Sequence, residues 1–580
     1  MDQRDSIKTF VRETIACRKV AGLGLTVVQD GQILIVDGFG TRKVDESAPV
    51  NQSTLFCIGS ITKGFTSTLL ASLISRNSSM SWDTPIHHLV PEIQFSDTYR
   101  TNHMTLRDIL AHRTGIPSYF GALMTGFYRS RKELVRRIRF MRPKKRMNTA
   151  YTYNNYMYML AGYIAERITG KSWDDLIRET FLIPLGMSST VFADSPTFED
   201  HQTNMAMPHM SFHGKLKQIK PSLVRAVYPA GPAGSICSTP DDMVKWISFQ
   251  LNETKLGNGE RLVKEKVFRD LFSPQILTPT PNWRKVLRKP TFPISEGRTG
   301  YGLGWGSGTY RGYEVAMHYG LISGYTSLIW LFREMNLGIF TSVNGPMTAH
   351  AMDTTRIIHH FIADVVLGLK PWLNQTTSCS FPEPWFRADY ASQRFNLEEE
   401  ETDMSNDDLY SKKPHTEPIW PNRPLWHFVG QFGHLVFGNL TIVFNDTDNH
   451  LHLFHGKVGH GILHKTDEQM VFVIKYIGDL YFLSAADGES VNSYKIRFLE
   501  EPMSSGPINK LETTFIDSGA PVIFERGLKW HDIPDSEKQQ QQVNICASGA
   551  NNGKHPFSLV LTAITVASIS FIAGGLHETI

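Results

Sequence analysis

Hydrophobic positions recur with two periods along residues 1–370. The stretch GLGLTVVQDGQILIVDGFG, 22–40, holds two β-rich runs around Asp30-Gly31, which predicts a hairpin. Helical spacing follows at 62–76, 156–169 and 241–252. The last of these opens with STPDDMVKW, a hydroxyl residue before proline and two acids in the first turn. Over 312–345 the pattern returns to strands, three of them separated by Gly or Asn turns. Strands at both ends with helices between them predict an α+β domain. Its antiparallel sheet is assembled from the two ends and flanked by helices, with an all-helical region between.

Beyond residue 370 the pattern changes. Residues 371–425, including NLEEEETDMSNDDLYSKKPHTEP, are acidic and then Pro-rich, which predicts a solvated linker. Residues 426–530 carry short β-rich runs (NLTIVF, HLHLFHG, QMVFVIKYI, DLYFLSA) and predict a small all-β domain, a barrel or sandwich. Residues 531–556 form a polar tether containing EKQQQQVN, and 557–575 is an uncharged apolar run. That run is near the roughly 20 residues that cross a bilayer. It therefore predicts membrane association, as a transmembrane helix or as a lipid-anchor signal, with a buried helix as the alternative. The first 20 residues are charged and lack an apolar core, unlike a secretory signal; a sequence with an incomplete start would look the same.

The chain's 580 residues exceed one core, and 41% apolar with 20% charged residues excludes a disordered chain. A formal charge of +3 gives no reason to invoke nucleic acid. The cysteines at 17, 57, 237, 379 and 546 form no CxxC pair and no metal spacing, and their odd number leaves the redox compartment open. Asn-x-Ser/Thr triplets at Asn51, Asn77, Asn252, Asn374, Asn439 and Asn445 are compatible with an exported protein.

Three short stretches carry chemistry. In GSITKGF, Ser60 and Lys63 stand at i and i+3, on one face of a helix. A lysine with a lowered pKa can activate a serine hydroxyl, whereas an ordinary helix start would use Ser60 as an N-cap. In AYTYNNYMYMLAGYIAERITG, Tyr153 and Asn155 offer a phenol and an amide two residues apart. They suit proton transfer and a contact to a substrate carbonyl, or the aromatic start of a core helix. In MHYGLISGY, His318 and Gly320 lie on a strand. The histidine can serve as proton relay or cation, and the glycine leaves room for a ligand along the strand. The histidines of HLHLFHGKVGHGILH alternate rather than cluster and read as solvated or structural.

These motifs, in this order, resemble the serine β-lactamase and penicillin-binding-protein family, especially its class C and D,D-peptidase-like branch. The flanking segments TLFCIGSITKGFT, MTLRDILAHRTGIP, LIPLGMSST, AGPAGSICSTPDDM, YGLGWG and GYTSLIWLFREMNLGIFTSVNG extend the resemblance over roughly 20–365. The 426–530 region resembles the small β-barrel appended to many members. The resemblance implies Ser60 as the acylated nucleophile, Lys63 as its proton acceptor and Tyr153 as general base and acid. It implies Asn155 as ligand of the substrate carbonyl, and the backbone N–H groups of Ser60 and Leu321 as the oxyanion hole. It implies no metal and no cofactor, and a small-molecule or peptide substrate.

One departure matters. The triplet at 318–320 is His-Tyr-Gly where the family has Lys-Thr-Gly. A partly charged histidine and a bulky Tyr319 would hold a substrate carboxylate less well. The expectation is an esterase, amidase or peptidase acting through an acyl-enzyme, with weak or no β-lactamase activity. The expected setting is extracellular, secreted or anchored through the tail. The competing expectation is a non-catalytic homologue acting as a secreted or membrane-tethered structural protein, such as a matrix component.

Overall fold

The computed structural model describes residues 2–529, except 45, 197, 213–214, 226–228, 280–288, 291, 386–422, 485–493, 500–505 and 518–520. The core is a nine-stranded antiparallel sheet. In spatial order its strands are Glu46–Pro49, Gln32–Lys43, Gly22–Gln29, Leu337–Val343, Tyr325–Phe332, Tyr313–Ile322, Gly306–Tyr310, Glu296–Tyr301 and Ile276–Leu277. The two ends of the domain meet in its middle, where Leu23 pairs with Val343 and Gln29 with Leu337. The hairpin at Asp30-Gly31 forms with both residues at positive φ.

Helices cover both faces. Gln3–Cys17 and Ala349–Val366 pack on one face, with the Phe10 and Phe361 rings stacked at 3.8 Å. The helices Thr62–Arg76, Asn155–Thr169 and Pro240–Leu251 lie on the other, close to the spans that periodicity predicts. Thr62–Arg76 is buried almost all round, and the Phe65 ring stacks on Trp246 at 3.5 Å. Burying a side chain such as Phe65 or Leu69 stabilises the fold by about 1.5–3 kcal/mol. That burial pins the helix opening at Ser60.

The ordered part extends past residue 370. Gln375–Ser380 is a short helix capped by the Asn374 side chain, and Cys379 is bonded to Cys17. The stretch expected as linker from 371 thus begins as part of the domain, because the disulfide and the cap hold a sequence with few apolar residues. A second disulfide, Cys57–Cys237, joins the strand leading to Ser60 to Ile236–Ser238. Cys546 and the acidic run at 398–401 lie outside the described residues. Among the described residues no helix is long and apolar enough to cross a membrane, and the apolar run 557–575 lies outside them.

Eight antiparallel strands between Gly430 and Arg526 form a closed barrel, in which Gly430–His434 closes on Val522–Arg526. The barrel packs on residues 119–138. Thr125 Oγ1 meets His455 Nδ1 at 2.8 Å, and the Lys457 N–H donates to the Thr125 carbonyl at 2.7 Å. Tyr119 of this segment accepts from the Tyr156 hydroxyl at 3.1 Å, one residue from Asn155. On the barrel's outer histidine strip, Asp448 stands 2.7 Å from His452, a carboxylate partner that the alternating spacing does not disclose.

Candidate active site

Ser60 sits in a 3-10 turn, Gly59–Ile61, that runs directly into the helix Thr62–Arg76. No side chain caps that helix, so Ser60 is not an N-cap. Its Oγ lies 2.9 Å from Lys63 Nζ and 2.8 Å from the Tyr153 hydroxyl. The turn is pressed against the strand Tyr313–Ile322. Gly59 has φ +50°, and a Cβ there would stand 2.8 Å from the Leu321 nitrogen. A Cβ on Gly320 would stand 1.9 Å from the Ile58 carbonyl oxygen. Gly320 therefore admits the chain's own backbone beside the nucleophile, where the sequence suggested space for a ligand. Gly320→Ala is expected to force strand and turn apart, costing about 1–3 kcal/mol of stability. Chemical denaturation checks this, and an unchanged midpoint would contradict the contact.

Lys63 is buried, with its Nζ 2.7 Å from Asn155 Oδ1 and 2.8 Å from the Ala233 carbonyl oxygen. The Tyr153 and Tyr158 rings lie 4.8 and 5.3 Å from the nitrogen. Burial holds its pKa well below the ordinary lysine value, which favours the neutral amine. A neutral amine has two N–H donors and one lone pair. Asn155 Oδ1 and the Ala233 carbonyl can only accept, so they take both donors. The lone pair is left facing the Ser60 hydroxyl, the arrangement that draws its proton.

Asn154, rather than Asn155, caps the following helix, accepting from the Tyr156 and Met157 N–H groups. Its Nδ2 donates to the Ile116 and Pro117 carbonyls at 3.2 and 2.7 Å. This frees Asn155, the first helical residue, to face Lys63. Ser60, Tyr153, Asn155 and Leu321 are partly exposed, while Lys63 and His318 are buried.

Of the two parts expected of His318, proton relay or partly charged cation, its surroundings disfavour the cation. Its Nδ1–H donates to its neighbour's carbonyl, Tyr319 O, at 2.6 Å, and its Nε2 accepts from the Tyr301 hydroxyl at 2.8 Å. Burial pushes its pKa down to about 3, so the ring is neutral at physiological pH. Tyr319 does not crowd the site: it packs into the core on the opposite face of the sheet, with Val315 and Met317. Alternation along the strand explains this, since 318 and 320 share one face and 319 takes the other.

Sequence reasoning brought Ser60, Lys63, Tyr153 and Asn155 together, and the structure places them in one cluster. It missed Ala233, Tyr301 and His112. Ala233 acts through its carbonyl, which no residue type announces. His112 stands in the quoted segment MTLRDILAHRTGIP without an assigned part. Its signal was its position in a Gly- and Pro-bounded turn after a helix. Among the described residues, no group of three or more His, Cys, Asp or Glu side chains gathers in a metal-binding arrangement.

A family profile described as Beta-lactamase matches residues 7–361. An unguisins hydrolase of Aspergillus campestris is 26% identical over 458 residues, covering 76% of this chain and 78% of the relative. The octameric penicillin-binding protein homologue from Pyrococcus abyssi superposes with a TM-score of 0.54 at 19% identity, over 90% of this chain and all of that one. The D-amino acid amidase from Ochrobactrum anthropi superposes with a TM-score of 0.51 at 23% identity, over 63% of this chain and 98% of that one. At these identities both structures establish likeness of fold.

Proposed function

The chain belongs to the beta-lactamase family, and we propose that it is a serine hydrolase that acts on an ester, amide or peptide through an acyl-enzyme on Ser60. The observation that carries this reading is the contact of Ser60 Oγ with both Lys63 Nζ and the Tyr153 hydroxyl. The similarity to an unguisins hydrolase supports hydrolysis as the reaction class.

In the proposed cycle Ser60 Oγ bonds to the substrate carbonyl carbon while its proton passes to Lys63 Nζ. The Ser60 and Leu321 N–H groups stabilise the oxyanion, and Asn155 orients the substrate carbonyl group. The bond to the leaving group breaks as Tyr153 donates its hydroxyl proton to it, and Lys63 returns a proton to the phenolate. Water then attacks the acyl carbon, its proton leaves by the same route, and Ser60 Oγ is released with its proton restored.

Neutral His318 removes the cation that would pair with a substrate carboxylate. Losing a hydrogen bond to a charged group disfavours such substrates by about 10- to 100-fold. Turnover of a p-nitrophenyl ester is therefore expected to exceed that of a penicillin by at least this factor. Equal rates would sink the specificity reading. Failure of a fluorophosphonate to label Ser60 would sink the enzyme reading and favour a non-catalytic structural role.

A further inference from the structure

We infer that His112 is a positioning residue for Tyr153, holding the phenol against Ser60 by tying down the backbone on both sides of it; this rests on the proposed role of Tyr153. The helix Leu106–Leu110 ends just before His112, which turns the chain with a left-handed φ of +57°. Strained backbone at a non-glycine residue persists where the surroundings hold it in place. The turn aims two acceptors of one residue at one short segment. The His112 carbonyl accepts from the Thr152 N–H at 2.8 Å. Its Nδ1 accepts from the Asn154 N–H at 3.0 Å.

Thr152 and Asn154 are the immediate neighbours of Tyr153, and the His112 and Tyr153 rings lie 4.4 Å apart, centre to centre. The same turn receives the Asn154 side chain on Ile116 and Pro117. Residues 112–117 thus form a cradle for 152–154. Because Nδ1 accepts, the ring proton sits on Nε2, which is buried without a hydrogen-bond partner among Tyr151, Tyr158 and Tyr301. Among the described residues the ring's one polar contact is therefore the bond to the Asn154 N–H. Burial keeps the ring neutral, so Nδ1 stays an acceptor.

The test compares two amides in the full-length protein. Asparagine places its side-chain oxygen where Nδ1 stands, and it tolerates a left-handed φ. Glutamine carries the same group one bond further, where Nε2 stands. His112→Asn is expected to keep ester kcat within about tenfold of wild type, whereas His112→Gln loses about 100-fold through misplacement of the phenol. KM should change by less than about threefold in both, since no substrate contact is removed. Thermal unfolding of both variants controls for folding. Equal kcat in the two folded variants, or a loss confined to KM, overturns the role of His112 while leaving Ser60 in place. Ester turnover that survives Ser60→Ala overturns both.

Discussion

Ser60→Ala is expected to reduce ester turnover by about 10⁴-fold or more, because it removes the hydroxyl that touches both Lys63 and Tyr153 and would form the covalent bond. The fold should survive. Ser60 caps no helix, and the turn that holds it is kept by Gly59, by the Cys57–Cys237 disulfide and by the buried helix behind it. Measured together, fluorophosphonate labelling, kcat and unfolding temperature should show label and turnover lost at nearly constant stability. A label that persists on the alanine variant would place the nucleophile elsewhere.

The second large effect is expected at Lys63. Lys63→Met keeps an unbranched apolar stem and removes the amine, so kcat should fall by about 10²–10⁴-fold, the range for loss of a general base. The stability signature is distinctive. An unfolded lysine titrates near its ordinary value of about 10.4, while burial makes the folded amine titrate well below it. Between those two values the unfolded chain binds one more proton than the folded chain. Wild-type stability therefore rises with pH across the window, by up to about 1.4 kcal/mol per pH unit from this group. The methionine variant lacks this contribution. Wild type should thus gain stability relative to Lys63→Met as pH is raised from neutrality towards 10, and wild-type kcat should rise as pH passes upward through the lowered pKa of the folded amine. A stability difference independent of pH would mean that Lys63 is charged, and its role as proton acceptor would fall.

Particular residues show how far the sequence could be read. The hairpin at Asp30-Gly31 and the helices at 62–76, 156–169 and 241–252 were legible because turn chemistry and 3.6-residue spacing are local. The barrel at 430–526 was legible as an all-β domain, but its closure depends on Phe432 pairing with Arg526, 94 residues later. The part of the 371–425 segment that belongs to the domain was hidden. Its composition is polar, and its anchor, Cys379 to Cys17, spans 362 residues. His318 was placed correctly on its strand, yet its charge was not legible. Two partners, Tyr301 and the Tyr319 carbonyl, and the burial around them make it a neutral ring.

The amino-acid sequence alone determined that Ser60 and Lys63 share a helical face, because the spacing of three residues sets that through helix geometry. It also showed strands near both ends of the domain with helices between them, which hydrophobic periodicity encodes directly. Only the tertiary structure decided what the pair can do. The groups that bind Lys63, Asn155 Oδ1 and the Ala233 carbonyl, lie 92 and 170 residues away, and the Tyr153 hydroxyl on Ser60 lies 93 away. Desolvation of the amine by the closely packed core around it lowers its proton affinity. That property belongs to the surroundings of a side chain and to no single residue type, so it exists only once the chain has folded.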